Sequence, residues 1–191
     1  MGNLASAPAG RVLDPDRVTG DPATPEYWRA KGDAHAHQRN EAFAASKAAY
    51  DARDHARAGE LSCRGKQHAE QSKAAHARAA QLLLARNNAR SGPGQLDLHG
   101  LRVGEAVEAV ERALEAARRD GGPQRLVLIV GKGLHSPDGQ SKLRPAIEGL
   151  VRRQGVHVRA GVPNAGCITV ELLPPGQNGW VEWVLGACVI C

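Results

Sequence analysis

Apolar residues follow two different rules along this chain. From residue 26 to 88 they are mostly alanine, mixed with charge and free of proline, and the large exceptions are Tyr27, Trp28, Phe43, Tyr50 and Leu82 to Leu84. Strong helix formers dominate this stretch. It predicts a helical hairpin over roughly 26–57 and 62–88, broken at Ala58-Gly59-Glu60-Leu61-Ser62, with Ser62 near the second N-terminus. These seven large residues are expected to anchor its inner stripe. Residues 89–95, Ala-Arg-Ser-Gly-Pro-Gly-Gln, have linker composition.

From 95 to 173 the apolar residues are Leu, Val and Ile in short runs. Leu96 to His99 predicts a strand. Val107, Val110, Leu114 and Ala117 recur at helical spacing within Val103 to Arg119, and Gly121-Gly122-Pro123 stops that helix. Arg125 to Val130 holds the continuous run Val127-Leu128-Ile129-Val130, which predicts a strand buried on both faces. Ser141 is placed to cap a helix reaching about Gln154, with Pro145 tolerated near its first turn. Val156 to Arg159 and Cys167 to Leu172 are two more strands, the latter alternating Ile168, Val170 and Leu172 with Thr169 and Glu171. The expected class is α+β: an N-terminal α-helical hairpin, then a two-layer β-α-β-α-β-β sandwich with a mixed four-stranded sheet. The expected boundaries are a disordered arm at 1–25, the basic hairpin at 26–90, the α/β domain at 95–173 and a tail at 174–191.

Composition sharpens this. Aromatic residues make up 3% of 191, so the core must be aliphatic. The net charge is +5, and residues 26–90 hold 12 Lys+Arg against 7 Asp+Glu, while the rest of the chain is balanced. Within 121–160 there are 7 basic and 2 acidic residues. A polyanion such as nucleic acid suits these two basic regions. His35 and His37 are two apart and cannot share a helix face, so the hairpin's histidines are expected to be solvated or to face nucleic acid. The cysteines form no disulfide framework, and a lone Cys188-x-x-Cys191 supplies only two of the four ligands a structural zinc needs. A reducing, cytoplasmic setting fits. Met1-Gly2-Asn3-Leu4-Ala5-Ser6 fits the N-myristoylation pattern on Gly2, and Cys188-Val189-Ile190-Cys191 has the C-a-a-X form of a prenylation site. Lipidated termini would give peripheral membrane contact.

Two stretches carry candidate chemistry. Asp97 and His99 are two apart in a strand and point to one side. A carboxylate there can orient the ring, and a histidine titrates near 6.5 when unperturbed, which suits a general acid or base. Gly131-Lys132-Gly133 follows a strand, where lysine charge and glycine amides suit a phosphate. It is not a P-loop. His135 and Ser136 are placed to bind a neighbouring phosphate or to protonate a leaving oxygen. RNA carries its own 2′-hydroxyl nucleophile, so no metal is required by the chemistry; a divalent ion such as Mg would turn to Asp97.

Leu96-Asp97-Leu98-His99-Gly100, then Gly131-Lys132-Gly133-Leu134-His135-Ser136, then Gly166-Cys167-Ile168-Thr169-Val170 together resemble an Smr (small MutS-related) domain over roughly 95–173. The hairpin, including Leu61-Ser62 and Gly65-Lys66, resembles the segment ahead of many eukaryotic Smr domains. The resemblance implies the fold of the C-terminal domain of bacterial translation initiation factor three. It also implies nucleic-acid binding and, in several members, endonuclease activity on RNA or DNA, in some cases at stalled ribosomes. It assigns activity to Asp97, His99, Gly131, Lys132 and Gly133. Val130 stands where the family usually has threonine, and Lys132 keeps the charge of an arginine without its fork. The expected function is therefore an endonuclease acting on RNA. The competing one is a non-catalytic RNA- or ribosome-binding adaptor, lipid-anchored through its termini.

Overall fold

The computed structural model describes residues 14–119, 124–133 and 141–172. Gly2, His135, Ser136, Cys188, residues 1–13 of the arm expected at 1–25 and the tail expected at 174–191 lie outside the described residues. The chain divides into two units, one ending at Leu82 and one starting at Leu83.

The first unit is the helical hairpin. Helix α1 runs Pro25–Asp51, with proline in its first turn and the Thr24 hydroxyl accepting from the Tyr27 amide at 3.4 Å. Helix α2 runs His55–Asn88. The break therefore lies at 52–54 and not at 58–62. Arg53 adopts φ 63°, and the Asp54 amide reaches back to the Ala49 carbonyl at 2.9 Å. That is a left-handed helix stop made without glycine. The Asp54 carboxylate then accepts from the Arg57 amide at 3.1 Å and starts α2. Gly59, taken as the breaker, sits inside α2 with open space around it, and neighbouring Ala58 is buried. A single helical glycine costs only about 1 kcal/mol relative to alanine, so packing carries the helix through it.

Two other glycines act as notches. A Cβ on Gly32 would lie 2.5 Å from the His76 ring, and one on Gly65 2.6 Å from the Phe43 ring. The buried Ser72 hydroxyl donates to the Gly32 carbonyl at 2.8 Å. Tyr50, expected inside, is instead 63% exposed and packs its ring edge on His55. The histidines also depart from expectation. His35 is buried, and its Nδ1 lies 3.2 Å from His68 Nδ1, so one ring must donate to the other. Residues 14–24, assigned to the disordered arm, form ordered turns. Pro15–Arg17 is a short 3₁₀ helix with Pro15 buried, and the Trp28 indole donates to the Pro22 carbonyl at 2.8 Å.

The second unit opens with the final turns of α2 and continues β1 Gln95–Asp97, α3 Val103–Arg119, β2 Arg125–Ile129, α4 Leu143–Arg153, β3 His157–Ala160 and β4 Cys167–Glu171. Strand order is β1-β2-β4-β3, with β1 parallel to β2 and both other pairings antiparallel. This is the expected mixed four-stranded sheet of an α+β fold. The core consists of Leu98, Val110, Leu114, Leu128, Ile147, Val151, Ile168 and Val170. β2 is fully buried on one face only: Leu126 and Leu128 are buried, while Val127 and Ile129 are half-covered. The continuous apolar run had suggested both. In α3 the buried face is Ala106, Ala109, Val110 and Leu114, turned slightly from the expected one, and Val107 is half-buried. Small alanines let the helix sit close to its neighbours, which a search for large apolar residues overlooks. Ser141 does help to start α4, accepting from the Arg144 amide at 3.4 Å while donating to the Val130 carbonyl at 3.3 Å. No helix among the described residues is long and apolar enough to cross a membrane.

Candidate functional site

Register fixes where the site forms. Asp97 pairs with Ile129 across the parallel strands, and the Leu98 amide donates to the Ile129 carbonyl at 2.9 Å. The segments holding His99 and Gly131 therefore leave the sheet side by side, beyond the carboxyl ends of two neighbouring strands. Ligands of open α/β sheets gather at such ends. A third segment arrives there because Cys167 pairs with Ile129 at the start of β4. The Gly166 carbonyl accepts from the amides of Val130 at 2.9 Å and Gly131 at 3.1 Å.

β1 stops at Asp97, two residues short of the strand end expected at His99, and His99 sits in the turn that follows, so the Asp97 carboxylate meets it through an Asx-type turn. Asp97 Oδ1 lies 2.6 Å from His99 Nδ1 and also accepts from the His99 amide at 2.9 Å. An ionised carboxylate only accepts, so the Nδ1 position carries the hydrogen and Nε2 is left with its lone pair. The Asp97 side chain is 17% exposed and that of His99 59%, so the orienting group is covered and the ring is open to solvent. Leu98 between them is fully buried and anchors the pair, and Gly100, at φ +76°, turns the chain away beneath the ring.

The second loop is less generous than its glycines suggest. Gly131 takes φ +76° and Gly133 φ +83°, a backbone that L side chains rarely adopt. The Gly131 amide is already donated to Gly166, so its share in holding an anion is conformational. Among the described residues of this loop, Lys132 is exposed and supplies its positive charge. Val130 is 4% exposed, so the residue standing in place of the family's threonine contributes packing. A Cβ on Gly166 would press on Asn164 Oδ1 at 3.2 Å, while the Gly131 carbonyl carbon and Lys132 Cγ, both at 3.6 Å, would be in ordinary contact.

Several supporting residues escaped the sequence reading. The Arg144 guanidinium donates to the Ala165 carbonyl and holds the third segment. The Asn164 side chain accepts from the Gly166 amide at 2.8 Å. Asn87 and Asn88 at the end of α2 bond to the backbone of His99 and Asp97. The only sequence signal for that last pair was two adjacent asparagines, poor helix formers, closing a long helix. Among the described residues no group of three or more His, Cys, Asp or Glu side chains is placed to hold a metal ion. Away from the site, His35 has its pKa lowered, first by desolvation, then by His68 and Lys31, with Asp16 opposing.

Comparison with known proteins matches the chain in two parts, which meet in the linker and not at Leu82. Residues 26–88 match a family described as a domain of unknown function (DUF1771), and residues 96–168 match the Smr domain. An Smr domain-containing protein of Schizosaccharomyces pombe is 37% identical over 147 residues, 77% of this chain and 70% of its own length. Endonuclease NBR9 of Saccharomyces cerevisiae is 33% identical over 149 residues, 77% of this chain and 62% of that protein. Among solved structures, the B3BP Smr domain in solution aligns at 33% identity and TM-score 0.41, covering 52% of this chain and 97% of that one.

Proposed function

The chain belongs to the Smr-domain family, and we propose that it is an endonuclease that cleaves RNA. The observation carrying this reading is the 2.6 Å contact of Asp97 with His99 Nδ1, on an exposed ring that follows a strand end adjacent to the one leading into Lys132. The name of the yeast relative, an endonuclease, supports it.

The chemistry follows from those groups. His99 Nε2 takes the proton of a ribose 2′-hydroxyl, whose oxygen attacks the adjacent phosphorus. The bond to the 5′-oxygen breaks, and that oxygen takes up a proton. The products are a 2′,3′-cyclic phosphate and a 5′-hydroxyl. Asp97 holds the ring in the required tautomer and balances the imidazolium. Lys132 and the Gly133 amide meet the charge that grows on the phosphoryl oxygens. His135 and Ser136 follow the loop directly in sequence and are the candidates to protonate the leaving oxygen. A positioned general base contributes roughly 10²–10⁴-fold, and a fixed charge at the phosphoryl group adds a comparable factor. The basic residues 26–90 add affinity for the phosphate backbone without reading sequence.

End-group analysis tests this. An RNA with a single 2′-deoxy nucleotide at the cleaved position resists the enzyme, and the normal product ends in a cyclic phosphate. Equal cleavage of the substituted strand, yielding a 5′-phosphate, would overturn the 2′-hydroxyl route in favour of attack by water.

A further inference from the structure

β1 is an edge strand of three residues, with β2 on one side only. Such an edge leaves backbone amides and carbonyls without a ladder partner. Here the free edge is occupied by one side chain. The Asp97 amide donates to Asn88 Oδ1 at 2.7 Å, and Asn88 Nδ2 donates back to the Asp97 carbonyl at 2.9 Å. The side-chain amide thus imitates the peptide of a neighbouring strand. It is itself fixed from behind: Nδ2 also donates to the Leu84 carbonyl at 2.9 Å, and the Ser91 hydroxyl donates to Oδ1 at 3.2 Å. One residue earlier, Asn87 Nδ2 donates to the His99 carbonyl at 2.9 Å and lies 3.3 Å from His99 Nδ1. Leu83, buried one turn before, closes on Gly100: a Cβ there would lie 3.3 Å from its Cδ2.

We infer that the last turn of α2 is a working part of the candidate site, in which Asn88 sets the backbone of Asp97 and Asn87 that of His99, both as positioning residues. The site then spans two family matches, because Asn87 and Asn88 fall in the segment matching the domain of unknown function and the pair they hold falls in the Smr match. The geometry shows why two asparagines are used. Each needs a donor, Asn88 needs an acceptor as well, and neither can carry a charge next to a dyad whose own charge does the work. Aspartate would lack the donor, and leucine would leave the Asp97 amide and carbonyl unmatched.

The catalytic half of this inference rests on the nuclease reading, so the test has one readout that does not. In the full-length protein, Asn88→Ala and Asn87→Ala are compared with wild type by amide hydrogen exchange and by imidazole ¹⁵N NMR. Asn88→Ala is expected to speed exchange of the Asp97 amide roughly tenfold, the loss of about one net hydrogen bond. Asn87→Ala is expected to shift the His99 ring nitrogen signals, because the His99 carbonyl loses its partner and the ring is held less firmly against Asp97. Unchanged exchange and unchanged ring signals would overturn the inference whether or not the protein cuts RNA. In the cleavage assay both variants are expected to lose kcat by roughly 10- to 100-fold, the scale of a small misplacement, with KM held and the global unfolding midpoint lowered by only a few degrees, so that the protein stays folded at the assay temperature. A fall in stability that accounts for the whole loss of activity would also overturn it, since the asparagines would then be holding the fold alone. If wild type shows no cleavage, the nuclease reading fails while the exchange and ring signals still decide the positioning claim.

Discussion

Three glycines inside the helices respond differently to one substitution. Replacing a helical glycine by alanine contributes about 1 kcal/mol of intrinsic stability. At Gly59 nothing lies within 4 Å of the new Cβ, so Gly59→Ala collects that gain whole. At Gly32 the Cβ would stand 2.5 Å from His76 Cε1, on a ring whose side chain is 15% exposed and whose Nε2 lies 3.4 Å from Asp33. Overpacking of that kind costs about 1–3 kcal/mol, which exceeds the propensity gain, so Gly32→Ala destabilises. Gly65 lies between the two. Its Cβ would strike the Phe43 ring at 2.6 Å, but Phe43 is 39% exposed and can swing outward, so gain and loss nearly cancel. Thermal unfolding of the full chain, followed by helical circular dichroism, checks the order. Gly59→Ala should melt higher than wild type by a few degrees (about 2–8 °C per kcal/mol), with Gly65→Ala near wild type and Gly32→Ala lowest. Gly59→Ala melting below wild type would refute the continuous α2 and restore a break at 58–62.

The buried histidine makes a pH prediction of definite sign. The folded-state pKa of His35 lies below its ordinary 6.5, so the unfolded chain binds the proton first. Its contribution is present above pH 6.5 and is lost as pH falls from there toward the lowered folded value. Unfolding midpoints of the helical unit from pH 7.5 to 5 should decline, and His35→Gln should flatten the decline; parallel profiles would refute the cause. RNA affinity should weaken steeply with salt, and Lys132→Ala should reduce the slope of log K against log salt by about 0.7, one phosphate contact on a single strand. Fluorescence anisotropy at several salt concentrations measures it, and an unchanged slope would remove Lys132 from the phosphate site.

Most of the α/β unit was legible because its signals are strong and local. Helical spacing in α3 and glycines around Lys132 each follow from short-range geometry, whereas β4, expected to alternate, is buried on both faces, with Thr169 as covered as Ile168 and Val170. Asp97 and His99 were expected to meet by strand alternation; they do meet, but through the turn after β1, where the Asp97 carboxylate accepts from the His99 amide. The turn of the hairpin was not legible. An arginine takes the left-handed position at 53, where glycine is the usual mark, and the nearby Gly59 drew the break instead. His35 facing His68 is a contact across 33 residues, the glycine notches join residues equally remote from any local pattern, and nothing local announces them. The asparagines escaped for the same reason: their partners lie 9 and 12 residues on, across a linker.

Cleavage of labelled single-stranded RNA by the purified protein, beside folded His99→Ala, with and without EDTA, tests the central claim most directly. Wild-type cleavage that survives EDTA and vanishes in His99→Ala is the predicted result. Equal cleavage by both proteins, or binding to RNA with no cleavage by either, would contradict it.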